Sequence, residues 1–397
     1  FSQLPNGDFI SDIFPFAMAE YSPTGATVAR WEFGTGSSGA TTDTTIAGTT
    51  ATTTVATTTA TTAATTAGTA ATPTTQGFVS TPDTIFLHAD WIDLSIPHHD
   101  IQLMPNGDFL ALARTTHPVT AAFRKAQCPD DNSDWDVTSD VAVEFDPSGK
   151  ILHTWDDFDA IDYATHPSKE LCVTTGLYAS QKDRDWSHAN AIVYDPKRNV
   201  VLMSVRHQDA IIAFDHEDTI GPQKDVRWIF GPNGTIPLTG DPAFHQHAPE
   251  LEADGSIMLY DNGNFRPGTT VGGGTAAPYS RAVHYDIDDS SANPADWKAT
   301  QVWDDRFTNP DGTPVYSDFL GDAKHLANGD VIVDNGGIMD AGGFYRVRVV
   351  EVSPAPTTGG DIVMDLNIGS KDDQYVAYRA YRLPSFYVGS QWVQPSS

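Results

Sequence analysis

The feature that most constrains this chain is a recurring pair of hairpin signals. An Asn-Gly, Asp-Gly or similar turn precedes a short run of β-branched and apolar residues in Leu4-Pro5-Asn6-Gly7-Asp8-Phe9-Ile10, Met104-Pro105-Asn106-Gly107-Asp108-Phe109-Leu110, Ala253-Asp254-Gly255-Ser256-Ile257-Met258 and Ala327-Asn328-Gly329-Asp330-Val331-Ile332. Asp195 to Met203 is a fifth instance, with Pro196-Lys197-Arg198-Asn199 at the turn. Such turns accept the left-handed backbone that joins two twisted antiparallel strands. A second element follows each one, ending in a strand that usually carries Trp. Glu20-Tyr21 leads to Trp31, Glu144-Phe145-Asp146 to Trp155, Phe214-Asp215 to Trp228 and Tyr285-Asp286 to Trp303, whereas Glu351-Val352 leads to Met364. Two hairpins per unit, repeating roughly every 50 to 75 residues, describe the four-stranded blade of a β-propeller. A β-sandwich is the competing all-β fold, but sandwiches rarely repeat one hairpin pair with a positioned Trp.

Five blades are legible. Residues 1–35 read as the first blade, 36–82 as an insertion and 83–397 as the remainder of the propeller. The aromatic stretch Tyr378 to Tyr387 has no following hairpin, so it is expected to complete the first blade and remove two sheet edges. Residues 44–82 contain no Asp, Glu, Lys or Arg, and more than half of residues 41–75 are Thr. That composition reads as a flexible, O-glycosylated stalk. If ordered, it needs cover from its own propeller or from a neighbouring copy. The second possibility motivates an alternative function, an extracellular structural or filament-forming propeller protein that self-associates through this Thr/Ala-rich tract.

The 52 acidic and 23 basic residues give a formal net charge of −29. Such a surface repels nucleic acid and anionic membranes and suits a secreted protein. No apolar run reaches the roughly 18 residues that span a bilayer. The first residue is Phe1, so a removed leader and a periplasmic or extracellular location are expected. Cys128 and Cys172 lie in irregular stretches and are expected to form one disulfide, with two unpaired thiols the alternative.

Several of the 13 histidines sit at strand beginnings. Pro97-His98-His99-Asp100, Trp186-Ser187-His188-Ala189-Asn190 and His245-Gln246-His247-Ala248-Pro249 each precede a hairpin, in one phase of the repeat. Equivalent positions in successive blades converge on the propeller axis, so these clusters are expected to meet; His325 shares their phase. Arg206 and Arg281 add positive charge, and a cationic, His-rich centre in an acidic protein implies an anionic ligand. Zinc is the other use of such clusters, but short-range helical His pairs are lacking and no metal is expected.

At these residues the chain resembles the bacterial arylsulfate sulfotransferase family. The matching stretches are His98-His99-Asp100-Ile101 with Leu103-Met104-Pro105-Asn106-Gly107, Trp186 to Ala191, Ser204-Val205-Arg206-His207-Gln208-Asp209-Ala210, Gln246-His247-Ala248-Pro249, Asp261-Asn262-Gly263, Ser280 to Asp286 and Tyr378 to Ser385. The resemblance implies an exported enzyme that moves a sulfuryl group between phenols, and a six-bladed propeller whose sixth blade comes from the termini or from residues 76–96. It implies His247 as the nucleophile and His99, with His98, as supporting histidines. His188, Asn190 and Arg206 match residues that hold the sulfate oxygens and assist the leaving phenol. Lys324-His325 and the Thr/Ala insertion depart from the family pattern. An imidazole nucleophile divides the transfer into two displacements through a sulfo-histidine. No cofactor is expected, and the chain has no Gly-rich phosphate loop for a nucleotide donor.

Overall fold

The computed structural model describes residues 2–3, 9–13, 17–22, 27–33, 84–87, 89, 97–172 and 182–382. They form an all-β protein of five sheets, each built on an antiparallel meander of four strands. The first comprises Ser2–Gln3, Phe9–Ile13, Ala17–Tyr21 and Thr27–Phe33, and the second Pro97–Leu103, Phe109–His117, Asp136–Phe145 and Ile151–Asp156. The third comprises Ala189–Asp195, Val200–Val205, Ala210–Asp215 and Val226–Phe230. The fourth holds His247–Leu251, Ile257–Asp261, Arg281–Asp288 and Lys298–Asp305, and the fifth Asp322–His325, Val331–Met339, Tyr345–Pro354 and Gly360–Ile368. These are the five units marked by the hairpin signals.

Consecutive sheets stack face to face, because alternate residues of one strand point to opposite faces. In Val200–Val205, Val201 and Met203 pack with Leu112 and Trp155 of the second sheet, while Val200 and Leu202 pack with Leu259 and Tyr285 of the fourth. The recurring Trp fastens each sheet to the next. Trp31 Nε1 donates to the Pro147 carbonyl, Trp155 to that of Asp215, Trp228 to Asp289 Oδ2 and Trp303 to the Gly359 carbonyl, at 3.0 to 3.3 Å. Every acceptor lies at the end of the third strand of the following sheet or within five residues after it. Met364 takes the Trp position in the fifth sheet and is 37% exposed. The first strands of successive sheets also touch one another in chain order.

Three outer edges gain a short parallel strand, which satisfies backbone groups left open there. Thr84–Leu87 joins Thr27–Phe33, Gly221–Gln223 joins Ile151–Asp156, and Leu238–Thr239 joins Lys298–Asp305. The strand within residues 76–96 thus extends the first sheet, where a separate blade was one expectation. Residues 378–382, expected to be strand-like, carry no strand pairing; they run as a connection into the histidine cluster described below. The remainder of that stretch and the Thr/Ala-rich tract, with the self-association built on it, lie outside the described residues. Cys128, at the end of helix Ala121–Gln127, is disulfide-bonded to Cys172 of the 3-10 turn Lys169–Cys172. No helix among the described residues is long and apolar enough to cross a membrane.

Candidate functional site

The first strands of the second, third and fourth sheets share a local irregularity. Pairing register shifts between His98 and Ile101, between Ala189 and Ala191, and between His247 and Glu250. His99 and Ala248 within these shifts, and His188 just before its strand, have φ of 59°, 48° and 52°. A bulge inserts an unpaired residue and re-aims neighbouring side chains. Here it gathers the histidines. The His99 ring lies 4.8 Å from His98, 5.1 Å from His188 and 5.7 Å from Tyr378, and Tyr378 lies 6.3 Å from His247, all between centroids. In the fifth sheet Asp322–His325 pairs without a shift, and His325 turns to Glu252 Oε1 at 2.8 Å, away from this group.

His247 is buried, and its Nδ1 lies 2.6 Å from Asn262 Oδ1. The Asn262 amide nitrogen donates to the carbonyls of Ser317 and Leu320 at 2.8 and 2.7 Å, so its oxygen must face the imidazole. His247 therefore carries its proton on Nδ1 and a lone pair on Nε2. Burial first, then the charge of Arg206, hold this imidazole well below its ordinary pKa, keeping it neutral. Burial also lowers His99, helped by His98 and His188, and takes the adjoining His207 down to about 3.

His188 Nδ1 lies 2.5 Å from Asp185 Oδ2, and the His188 ring stacks on His207 with centroids 4.7 Å apart. Arg206 is delivered by the 3-10 turn Arg206–Gln208. That turn is fixed by hydrogen bonds from the Arg206 and His207 amides to the carbonyls of His188 and Ser187. His98 reaches Asp140, with Nε2 2.9 Å from Oδ1, and touches His99 Nδ1 through its other nitrogen at 2.5 Å. Asn190 is fully buried beside the cluster, and its amide nitrogen donates to the Gln246 carbonyl at 2.7 Å, anchoring the peptide next to His247. One expectation is corrected. Arg281 is fully buried against Asp261, Asp304 and the carbonyls of Asp241 and Pro242, so its donors are taken up by these protein groups.

The cluster also contains residues to which sequence reasoning gave no role. Asn262 and His207 stood within matched stretches, but their use depends on contacts that spacing does not reveal. Asp185 lies three residues before His188 and gave no signal. Arg379 forms a bidentate pair with buried Asp100 at 3.0 and 3.1 Å, and the Tyr378 hydroxyl donates to the Asn190 carbonyl at 2.8 Å. The connection after the fifth sheet thus closes over the second and third.

The arylsulfotransferase family model matches residues 92–379, which contain every residue of this cluster. The chain belongs to the arylsulfotransferase family. It is 22% identical over 293 residues to the arylsulfate sulfotransferase AssT of Escherichia coli O6:H1, covering 61% of this chain and 46% of that protein. AssT of Lelliottia amnigena is also 22% identical, over 297 residues, with the same coverage. The chain thus spans about half the length of these curated relatives. Among solved structures, a Bacteroides caccae protein of unknown function aligns with a TM-score of 0.34 at 13% identity, over 72% of this chain and 74% of that one.

Proposed function

We propose that this chain is an aryl sulfotransferase that carries the sulfuryl group on His247, within a six-bladed propeller whose axis holds the site. The observation that carries the reading is the Asn262 contact, which leaves a buried, neutral imidazole with its Nε2 lone pair unprotonated. In the first displacement Nε2 attacks the sulfur of an aryl sulfate, the N–S bond forms and the sulfur–phenolic oxygen bond breaks. Protonated His188 gives its Nε2 proton to the departing phenolate, with Asp185 supporting the imidazolium from Nδ1. General acid help of this kind is typically worth about 10²- to 10⁴-fold. In the second displacement His188 takes the proton of an acceptor phenol, whose oxygen attacks sulfur and releases His247.

Arg206 and the remaining N–H of Asn190 act as fixed donors to the sulfuryl oxygens, the electrostatic contribution. The Tyr378 ring, between His99 and His247, offers the aryl group an apolar face. Face-to-face stacking of successive sheets supports the propeller, and the disulfide supports an oxidising, extracytoplasmic location. The test is transfer from 4-nitrophenyl sulfate to phenol without nucleotide. Wild-type protein releases nitrophenol with ping-pong kinetics and His247→Ala does not; release by His247→Ala at the wild-type rate overturns the assignment.

A further inference from the structure

Among the described residues, the chemistry proposed above leaves one converging group of potential metal-ligand side chains unused. Glu144 lies near the end of Asp136–Phe145, His153 in the neighbouring strand Ile151–Asp156, and His216 directly after Ala210–Asp215 of the third sheet. Glu144 Oε2 is 2.7 Å from His153 Nδ1 and 2.7 Å from His216 Nε2. The two imidazole centroids are 4.7 Å apart, and the three donor atoms lie within 4.8 Å of one another. The carboxylate is 1% exposed, and a buried charge requires close compensation. We propose that Glu144, His153 and His216 bind a zinc ion that clamps the second sheet to the third.

The donor set selects the ion. Two imidazole nitrogens and one carboxylate oxygen, with water in the fourth position, make a tetrahedral zinc site. Calcium and magnesium take predominantly oxygen ligands in larger number. Zinc bonds of about 2.0–2.1 Å give a tetrahedral edge of roughly 3.3 Å, so each nitrogen retreats from the carboxylate by about 0.6 Å. The His216 side chain, 12% exposed, provides the path inward and room for the shift. Zinc takes the two ring nitrogens that now face Oε2, so a neutral imidazole moves its proton to its other nitrogen and an imidazolium gives one up.

The surroundings suit a metal centre. Asn106 Nδ2 donates to the other carboxylate oxygen at 3.3 Å, which orients it. The Trp155 and Tyr194 rings wall the His216 imidazole at 5.5 and 5.6 Å. Another His-His-Glu group spreads its donors instead: His325 Nδ1 faces Glu252 at 2.8 Å, but His284 Nε2 goes to Ser256 Oγ at 2.7 Å. Convergence on one oxygen is therefore not a general consequence of stacking these sheets. Asp185, His188 and His207 also converge, but they belong to the site already described.

The test counts zinc by inductively coupled plasma mass spectrometry after chelator treatment, dialysis against zinc chloride and gel filtration. Wild-type protein retains about one zinc ion per chain more than Glu144→Gln or His216→Gln, and His188→Ala retains as much as wild type. At zinc a hundredfold above its dissociation constant, wild-type Tm rises by roughly 4 °C and the two ligand variants do not respond. Wild-type retention by both ligand variants, or loss confined to His188→Ala, overturns the proposal. Should a ligand variant not fold, the Co²⁺ absorption spectrum of His188→Ala decides. A tetrahedral d–d band without a thiolate transition supports the site, and its absence rejects it. None of these readouts involves sulfuryl transfer, so they stand or fall independently of the proposed activity.

Discussion

Two neighbours determine what His247 is able to do. Asn262 fixes the proton on Nδ1, while burial and the charge of Arg206 keep the ring neutral. Replacing Asn262 with Asp puts a carboxylate against Nδ1, which preserves the tautomer but stabilises the imidazolium. The folded pKa of His247 rises, so protonation removes the lone pair at higher pH. The acid limb of the kcat/KM profile for Asn262→Asp is expected to move upward, with the plateau retained. Asn262→Leu releases the tautomer, and kcat is expected to fall by roughly 10²-fold or more, as when an imidazole is held in the wrong tautomer. An unchanged pH profile in Asn262→Asp, measured with 4-nitrophenyl sulfate, removes Asn262 from this role. The histidines themselves were legible because they recur in one phase of the repeat. Asn262 was visible only as part of a matched stretch, since its role rests on its contacts with Ser317 and Leu320, more than 50 residues downstream.

At the scale of elements, the repeated Trp was readable from the sequence but its purpose was not. Its acceptor always lies in the following sheet, as with Asp215 for Trp155, 60 residues on. No local pattern marks such a carbonyl. The same geometry accounts for Met364: the outer strand of the fifth sheet has no following sheet among the described residues to receive an indole. Trp155→Phe leaves the Asp215 carbonyl unsatisfied and the space underfilled. It is expected to cost about 2–4 kcal/mol in denaturant unfolding, with little change in activity per folded molecule. The bulges are equally invisible in sequence, and they separate His99, His188 and His247 from His325, which shares their phase but lies on a regular strand.

The fifth sheet carries its own electrostatic burden. Asp334 is buried opposite Asp322, its cross-strand partner, and among the described residues neither of its carboxylate oxygens has a hydrogen-bond partner. Burial first, then the charge of Asp322, raise Asp334 to about 8. Its folded value lies above the unfolded one. Its contribution is therefore fully present below about pH 4 and is lost as pH rises through about 8. Asp334→Asn removes the ionisation, so its Tm advantage over wild type is expected to be larger at pH 9 than at pH 5. Equal differences at the two pH values reject this account.

Across the whole molecule, the 29 excess negative charges act on a fold whose best ion pairs are internal. Arg379 with Asp100 and Arg281 with Asp261 are buried, and dissolved salt screens such pairs weakly. The unmatched carboxylates repel one another in water, where screening is strong. Fold class and sheet order were legible because they follow from local turns and strand alternation, whereas the balance of surface charge depends on which of the 23 basic residues the fold takes inside. Raising NaCl from 0.1 to 1 M shortens the Debye length from about 10 Å to about 3 Å. Repulsion between exposed carboxylates is then relieved while the buried pairs persist, so Tm is expected to rise across this range. The increase is expected to be larger at pH 8 than at pH 4.5, where part of the exposed carboxylate is protonated and repulsion is already reduced. Differential scanning calorimetry at both pH values measures the comparison. A fall in Tm with salt at pH 8 means that exposed attractive pairs outweigh the repulsion of the acidic surface.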